Sequence, residues 1–264
     1  MLIKPIKTLK LVSTTISLFA ALLVSGPAMA DNHQGPKFSP AEIFLCNYKD
    51  GQNISGVNKA TAKWNSWMDK TKQHDYLGIT LTPMFNDPGV NMDVVWMGFW
   101  PDGKSMGAAI EKTMSKKGQD ATKDFFKVMN CPQHASFAVN VITAGPVETP
   151  DTAVMTFADC KIAEGKTPAD AGAALTIWGD YLTNKGITGP MLTLWPAFGG
   201  GDVDFDFKMV QGYTNYVDFG NAFDAYGTGG GVMKARQIFG DIVHCNVARL
   251  YNMQLRRPVK LAKK

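Results

Sequence analysis

The pattern of apolar and polar positions divides residues 41–142 into four predicted strands and two helical regions. Val57, Ala60, Trp64 and Met68 recur at helical spacing, which predicts a helix from residue 55 to about residue 74. A second helical stretch, 104–130, contains Lys117-Gly118, near which we expect a break. Apolar runs bounded by Gly, Pro, Asn or Asp predict strands at residues 41–48, 78–85, 93–100 and 135–142. The predicted order is βαββαβ.

The second half of the chain repeats residues of the first half at a fixed distance. A shift of 114 positions places Cys46 on Cys160, Cys131 on Cys245, Gly51 on Gly165, Trp64 on Trp178, Gly98 on Gly212 and Phe125 on Phe239. A shift of 113 aligns residues 80–85 with 193–198, which share Thr-Leu, Pro and Phe in the same order. We infer an internal duplication, with one unit at residues 41–144, a linker at 145–151 and a second unit at 152–255.

The second unit is predicted to follow the same course. Strands are expected at residues 152–162, within 187–198, at 205–213 and at 247–253, and the last helix at 232–244.

Both ends of the chain carry positive charge outside these units. Lys4, Lys7 and Lys10, an apolar stretch and the small residues before Ala30 predict a signal peptide over residues 1–30, cut after Ala30, and hence a periplasmic protein. Residues 31–40 are then a leader. Cleavage reduces the formal charge from +4 to +1. No later segment is apolar enough to span a membrane.

Residues 256–264 form a basic tail on a mildly acidic body. We expect this tail to be a frayed, solubilising end, and not a lipid or nucleic-acid site.

The four cysteines fall into two pairs with equal separation. Sequence alone allows three pairings, but a bond inherited by both copies must join Cys46 to Cys131 and Cys160 to Cys245. Metal ligation is the alternative, because His134 and His244 lie near two of these cysteines. The two histidines differ in spacing from their cysteines, so we expect no structural metal.

Two βαββαβ units in one chain resemble a tandem, fused form of the ferredoxin-like dimeric α/β-barrel superfamily. The resemblance implies an α+β fold in which two antiparallel sheets face each other as a fused α/β barrel. It also implies that the first and last strands of a unit are neighbours, which brings Cys46 close to Cys131. Members include small oxygenases, isomerases, haem enzymes and simple binding proteins, so the fold alone does not decide the function.

To predict which side chains line the space between the sheets, we assume which face of each sheet the helices cover. If the more uniformly apolar positions face the helices, the remaining positions face the cavity. The ligand-binding residues predicted in this way are Asn47, Thr80, Thr82, Trp96, Trp100, Asp159, Thr193, Trp195 and Lys208. The alternative is an interior filled by its own side chains.

These residues favour an exported protein that binds a small apolar or aromatic molecule between its sheets, without a cofactor or metal. An enzyme of the cofactor-independent oxygenase or isomerase type is the first alternative, with His134 or Lys208 as base. Haem would require a histidine inside the cavity, and His134 is the one near such a place. A structural or partner-binding protein with a filled interior is the other alternative. The sequence leaves the oligomeric state undecided.

Overall fold

A computed structural model describes residues 37–87, 89, 91–146 and 148–260. The predicted signal peptide and most of the predicted leader lie outside these residues. The described elements, in chain order, are β1 (Ser39–Tyr48), α1 (Ile54–Lys70), β2 (Leu77–Phe85), β3 (Val94–Phe99), α2 (Gly103–Met114), α3 (Lys116–Val128), β4 (Met129–Thr143), β5 (Thr152–Ile162), α4 (Pro168–Asn184), β6 (Met191–Gly199), β7 (Phe207–Tyr213), α5 (Tyr216–Gly227), α6 (Gly231–Phe239), β8 (Val243–Cys245) and β9 (Arg249–Arg257).

Eight strands form a closed antiparallel barrel. Their order is β7-β6-β4-β1-β3-β2-β9-β5, and pairing of β5 with β7 closes the ring. The short strand β8 pairs with β5 beside β9. Within the first half the order is β4-β1-β3-β2, and within the second it is β9-β5-β7-β6; β4 with β6 and β2 with β9 join the halves. The mixed α+β architecture of the prediction is therefore confirmed.

Side-chain caps define helix ends in the first half of the chain. Asn53 caps α1 through a bond from the Ser55 amide, and α1 buries Val57, Trp64 and Met68 along one stripe. Ser115 ends α2 and caps α3 by accepting a bond from the Gly118 amide. The break in the helical region is therefore at Ser115, two residues before the predicted position.

Several predicted boundaries are wrong. The sequence pattern did not predict α5 or the separate strand β8, and β4 begins six residues before the predicted strand. The final strand extends to Arg257, which is 1% exposed and donates hydrogen bonds to Asp69 Oδ1 and to the Gln73 carbonyl. The first two residues of the predicted free tail, Arg256 and Arg257, are therefore buried against the structure.

The barrel interior is apolar, which corrects the predicted faces. One cluster joins buried residues from all eight barrel strands and contains no helix residue: Ala41, Ile43, Ile79, Leu81, Val95, Met97, Phe137, Val139, Met155, Phe157, Leu194, Val210, Tyr251 and Met253. The uniformly apolar positions thus point into the barrel, where they form its dry core. The alternate positions lie under the helices, where the aromatic residues of the first half pack against α1, α2 and α3.

Both predicted disulfides are present. Cys46 is bonded to Cys131 and Cys160 to Cys245, each with 4.0 Å between Cα atoms. With all four cysteines paired in disulfides, none of their thiols is available as a metal ligand. Disulfides persist in oxidising compartments, and the two bonds indicate an extracellular or otherwise oxidising location.

No helix in the described part of the chain has the length and hydropathy required to cross a bilayer.

Candidate functional site: an aromatic pocket under the helices of the first half

The predicted ligand-binding residues separate into three groups in the structure. Asn47 and Lys208 line a cavity at one end of the barrel interior, and Asp159 forms an ion pair with Lys208 there. Trp96 and Trp100 lie on the opposite face of the sheet, under the helices, and line a different pocket together with His134. The structure thus brings the predicted aromatic residues together, but not in the space between the sheets.

The four remaining residues line neither cavity. The Thr80 hydroxyl is buried and accepts a hydrogen bond of 2.7 Å from Arg256 Nε. Thr193 is buried and accepts a bond from Trp195 Nε1, and Trp195 packs on the helix-facing side against Phe207. Thr82 is exposed on the surface. Their predicted orientation into the barrel is wrong, because the uniformly apolar positions of these strands fill the barrel interior.

A cavity of about 290 Å³, the helix-side pocket, lies between the sheet of the first half and helices α1, α2 and α3. This volume is at the lower end of the range for small-molecule sites. Exposed apolar side chains of Ile110, Met114 and Phe126 border it. The residues that form its walls are Glu42, Phe44, Trp64, Met68, Gln73, Tyr76, Trp96, Trp100, Ala109, Thr113, Thr122, Phe125, Met129, Cys131 and His134.

Strand register builds the floor of this pocket. In β1, Phe44 pairs with Trp96 of β3 on one side and with His134 of β4 on the other. The His134 ring stacks on Phe44 with 3.7 Å between ring centroids. Antiparallel neighbours point to the same face of a sheet, so one row of pairs brings a phenyl ring, an indole and an imidazole together.

A neighbouring row of the sheet makes room for Tyr76. Gly98 pairs with Glu42 in β1 and with Gly78 in β2. A β-carbon on Gly78 would lie 2.9 Å from the Tyr76 ring, and one on Gly98 would lie 1.9 Å from its hydroxyl oxygen. The two glycines therefore leave the space through which the Tyr76 phenol reaches Glu42.

A hydrogen-bonded chain connects the polar groups of the pocket. Trp96 Nε1 donates to the Tyr76 hydroxyl at 2.8 Å, and that hydroxyl donates to Glu42 Oε1 at 3.0 Å. The other carboxylate oxygen, Glu42 Oε2, lies 3.2 Å from His134 Nε2. Burial, and then the Glu42 carboxylate, raise the pKa of Tyr76 well above its usual value. The phenol therefore stays protonated at neutral pH and acts as the donor to Glu42.

Aromatic rings form the walls of the pocket around this chain. Trp64 of α1 meets Tyr76 and Trp96 edge-on at 5.4 Å each, and Phe125 of α3 meets Trp96 at 5.3 Å. The ring of Trp100 lies 4.9 Å from that of Tyr76. Such pairs each contribute about 0.5–1.5 kcal/mol beyond the apolar area they bury. The rings are held by one another, so the pocket is largely formed before any ligand enters.

Two buried polar atoms of the pocket have no hydrogen-bond partner among the described residues. They are Trp100 Nε1, which is a donor, and Gln73 Oε1, which is an acceptor. Both side chains are more than nine-tenths buried and line the pocket. An unpartnered buried polar group costs about 1–3 kcal/mol, and a ligand hydroxyl, which both donates and accepts, can satisfy such groups.

The second half has a wider cleft at the corresponding place, between its sheet and helices α4, α5 and α6. Its volume is about 740 Å³, and Trp178, Phe239 and Tyr226 are among its lining residues. Among the described residues that line this cleft there is no Asp or Glu. By the 114-residue shift, Ala248 stands in place of His134. The carboxylate–phenol–imidazole arrangement thus belongs to the first half.

Sequence reasoning missed Glu42, Tyr76 and Gln73. The sequence signal for these residues is indirect. It depends on the pairing of Gly78 in β2 with Gly98 in β3, and on the position of Tyr76 immediately before β2.

The pocket does not fit a haem held by histidine. His134, the one histidine among the lining residues, stacks on Phe44 and has its Nε2 engaged by Glu42. Elsewhere in the described ranges, no group of three His, Cys, Asp or Glu side chains is arranged to hold a metal ion.

Comparisons with known proteins identify the fold. No protein-family model matches the chain, and no curated protein sequence matches it. Among solved structures, a proposed monooxygenase from Fusobacterium nucleatum subsp. nucleatum ATCC 25586 has a TM-score of 0.54 at 10% identity, covering 86% of this chain and 95% of that one. A proposed monooxygenase from Lactobacillus acidophilus NCFM has a TM-score of 0.53 at 10% identity, covering 85% and 97%.

A proposed chlorite dismutase has a TM-score of 0.50 at 7% identity and covers 83% of this chain and 95% of that chain. These likenesses define the class of fold, the dimeric α/β barrel built on ferredoxin-like sheets, and confirm that part of the prediction.

Proposed function

We propose that this chain is an exported, periplasmic protein that binds a small hydroxylated aromatic molecule in the helix-side pocket of its first half. The aromatic walls match a planar ring system. Glu42, Tyr76 and Trp100 all line the same pocket, and the Glu42–Tyr76 pair together with the unpartnered Trp100 Nε1 match a phenolic hydroxyl. The observation that carries the proposal is the pair of buried, unpartnered atoms, Trp100 Nε1 and Gln73 Oε1. A phenol accepts from the first and donates to the second or to Glu42.

Export and duplication belong to the same proposal. The two disulfides support export through an oxidising compartment. The two halves have the same strand order within the barrel, and the same element order apart from the additional short strand β8. Each half is also closed by a disulfide with a separation of 85 residues, which supports one ancestral unit that was doubled. The first copy then acquired the polar groups of the pocket.

Calorimetric titration with 2-naphthol tests the binding proposal, with naphthalene as the probe that lacks the hydroxyl. We expect 2-naphthol to bind at least tenfold more tightly, because only its hydroxyl satisfies the unpartnered groups. Ala109→Leu in α2 fills the helix-side pocket and should remove binding. Ala222→Leu in α5 fills the cleft of the second half and is the matched control, which should leave binding unchanged. Equal affinity for both probes, or equal loss in the two variants, would contradict the proposal.

A second candidate function, a cofactor-independent oxygenase, is favoured by the position of His134. Its ring is oriented by Glu42 and Phe44 at the edge of the pocket, where it can accept a proton from an acidic methylene group beside an aromatic ring. In the overall reaction both C–H bonds of that methylene break and a C=O bond forms with one atom of O₂. The two hydrogens leave with the other oxygen atom as water.

Oxygen uptake with 2-tetralone tests this second candidate. The candidate predicts uptake of one O₂ per ketone oxidised and a loss of about 100-fold or more in His134→Gln. His244→Gln in the second half is the control and should retain the full rate. If the protein binds 2-naphthol but consumes no oxygen with 2-tetralone, the oxygenase candidate fails and the binding proposal stands.

A further inference from the structure

The barrel encloses a second cavity at the end of its interior. This barrel-mouth cavity has a volume of about 420 Å³ and is bounded by the ends of several strands and by the loops that contain Asn91 and Val203. Its deeper wall consists of interior core residues, among them Leu81, Met97 and Phe137. The cavity is therefore apolar on its inner side and separate from the helix-side pocket, which lies on the other face of the sheet.

A cluster of three charged side chains lies at this cavity. Lys208 of β7 pairs across the sheet with Asp159 of β5, and their side chains form an ion pair. Arg249, the first residue of β9, forms an ion pair with the same carboxylate, with 2.9 Å between its Nη2 and Asp159 Oδ2. The three side chains are each 17–20% exposed. The single carboxylate of Asp159 thus pairs with both Lys208 and Arg249. The cluster therefore has a net charge of +1 in largely apolar surroundings.

The surplus charge lies beside apolar groups. Lys208 Nζ lies 4.0 Å from the centre of the Phe205 ring, and Phe157 and Tyr251 line the same wall. Burial lowers the pKa of Lys208, while its hydrogen bond to Asp159 opposes that shift. A buried positive charge without a full counter-charge is energetically unfavourable, and binding of an anion would remove this cost. Among the described residues that line the cavity, no Asp or Glu supplies one.

The two disulfides fix the strand ends that carry the polar groups of this cavity. Asn47 follows Cys46, Pro132 follows Cys131, and Asp159 precedes Cys160. The Asp159 amide donates to Asn246 Oδ1, next to Cys245, and the Asn246 amide donates back to the Asp159 carbonyl. The cations are therefore held on a covalently braced frame.

We propose that the barrel mouth is a second binding site, which takes an aliphatic carboxylate of medium chain length. Lys208 and Arg249 bind the carboxylate head, and the chain extends along the apolar interior wall. Charge-assisted hydrogen bonds supply the specificity for the anion, and apolar contact supplies the rest of the affinity. This site is independent of the aromatic ligand proposed above.

Calorimetric titration of the full chain with octanoate tests the proposal, with 1-octanol and octylammonium as probes that share the tail. Octanoate should bind at least tenfold more tightly than 1-octanol, and octylammonium should not bind. Lys208→Met should weaken octanoate binding at least tenfold, and Lys208→Arg, which keeps the charge, should restore it to within about threefold. Lys161→Met is the control, because Lys161 lies on β5 but pairs with the exposed Asp204; it should leave binding unchanged.

Three results would overturn the proposal. The first is equal affinity for octanoate and 1-octanol, and the second is equal loss in Lys208→Met and Lys161→Met. The third is loss of octanoate binding in Ala109→Leu, which fills the helix-side pocket and would show that octanoate binds there. Retained octanoate binding in Ala109→Leu, together with loss of 2-naphthol binding, is the expected result and separates the two sites.

Discussion

The hydroxyl oxygen of Tyr76 lies 1.9 Å from the point where Gly98 would carry a β-carbon. The phenol reaches Glu42 only because the residue beside Glu42 on the next strand has no side chain. The pocket under the first three helices therefore depends on a glycine within β3, the next-to-last residue of that strand, although strands usually avoid glycine.

Gly98→Ala should displace Tyr76 and disrupt the pocket. We expect the free energy of unfolding to fall by about 1–3 kcal/mol, as for other overpacked positions, and 2-naphthol binding to be lost. Urea denaturation and calorimetric titration measure the two effects. Gly107→Ala in α2 is the control, because a β-carbon there meets no atom within 4 Å. It should raise stability by about 0.5–1 kcal/mol, since alanine is the better helix former. Unchanged binding in Gly98→Ala would contradict the account.

Tyr76→Phe should destabilise the protein without changing its shape. The substitution leaves the buried Trp96 indole N–H without its acceptor and removes a donor to Glu42. We expect a loss of about 1–3 kcal/mol in the free energy of unfolding, measured by urea denaturation. Tyr226→Phe, at a partly exposed position of the second half, should cost less than about 0.5 kcal/mol. Equal effects of the two substitutions would show that the Tyr76 hydroxyl is not structurally important.

Asp124 should make the packing of α1 on α3 sensitive to acid. Hydrogen bonds from Lys127 of α3 and Lys63 of α1 lower the pKa of the Asp124 carboxyl from 3.8 to about 2. A carboxyl with a lowered pKa in the folded state stabilises the protein above its unfolded pKa, and this contribution is lost as the pH falls toward 2.

The wild type should therefore be more stable than Asp124→Asn at pH 6, and the difference should shrink between about pH 4 and pH 2. Denaturation series at several pH values measure it. Asp120→Asn removes an exposed ion pair within α3 and should show a smaller difference at pH 6. A difference between wild type and Asp124→Asn that does not change with pH would contradict the assigned ion pairs.

Each disulfide should stabilise its own half. Each bond closes a loop with a separation of 85 residues, and removing a native disulfide typically costs about 2–5 kcal/mol. Cys46→Ala with Cys131→Ala should lower the free energy of unfolding by that amount, and so should Cys160→Ala with Cys245→Ala. Urea denaturation under non-reducing conditions measures both. If either double variant keeps wild-type stability, the stabilising role of that bond is refuted.

Much of the architecture could be predicted because it leaves local signals. Spacing of Val57, Trp64 and Met68 predicted α1, and glycine and proline marked most strand ends. The equal cysteine spacing selected both disulfides. The missed helix α5 contains Asn221 and two glycines in a weakly periodic sequence, so tertiary packing and not pattern defines it.

The faces of the strands could not be predicted, because alternation says which residues share a face but not which face is inside. The assumption that helices cover the most apolar side of a sheet would place Ile79 and Leu81 of β2 under the helices, but both belong to the core of the barrel. In a closed barrel the interior is drier than the helix layer, so the assignment inverts. Trp96 and Trp100 line the helix-side pocket and not the space between the sheets to which the sequence pattern assigns them. Lys208 lines the barrel-mouth cavity, and Asp159 forms an ion pair with it.

The signals of the indole N–H groups in a ¹H–¹⁵N spectrum test the central claim most directly. The chain has six tryptophans, of which five lie on helices or strands and Trp100 directly follows β3. On addition of 2-naphthol, the Trp100 Nε1–H signal should move downfield as it gains an acceptor, and the signals of Trp64 and Trp96 should shift with it. Trp178 and Trp195, in the other half, should not move. A shift of Trp178 alone, or no shift of Trp100, would contradict the assignment of the ligand to the helix-side pocket.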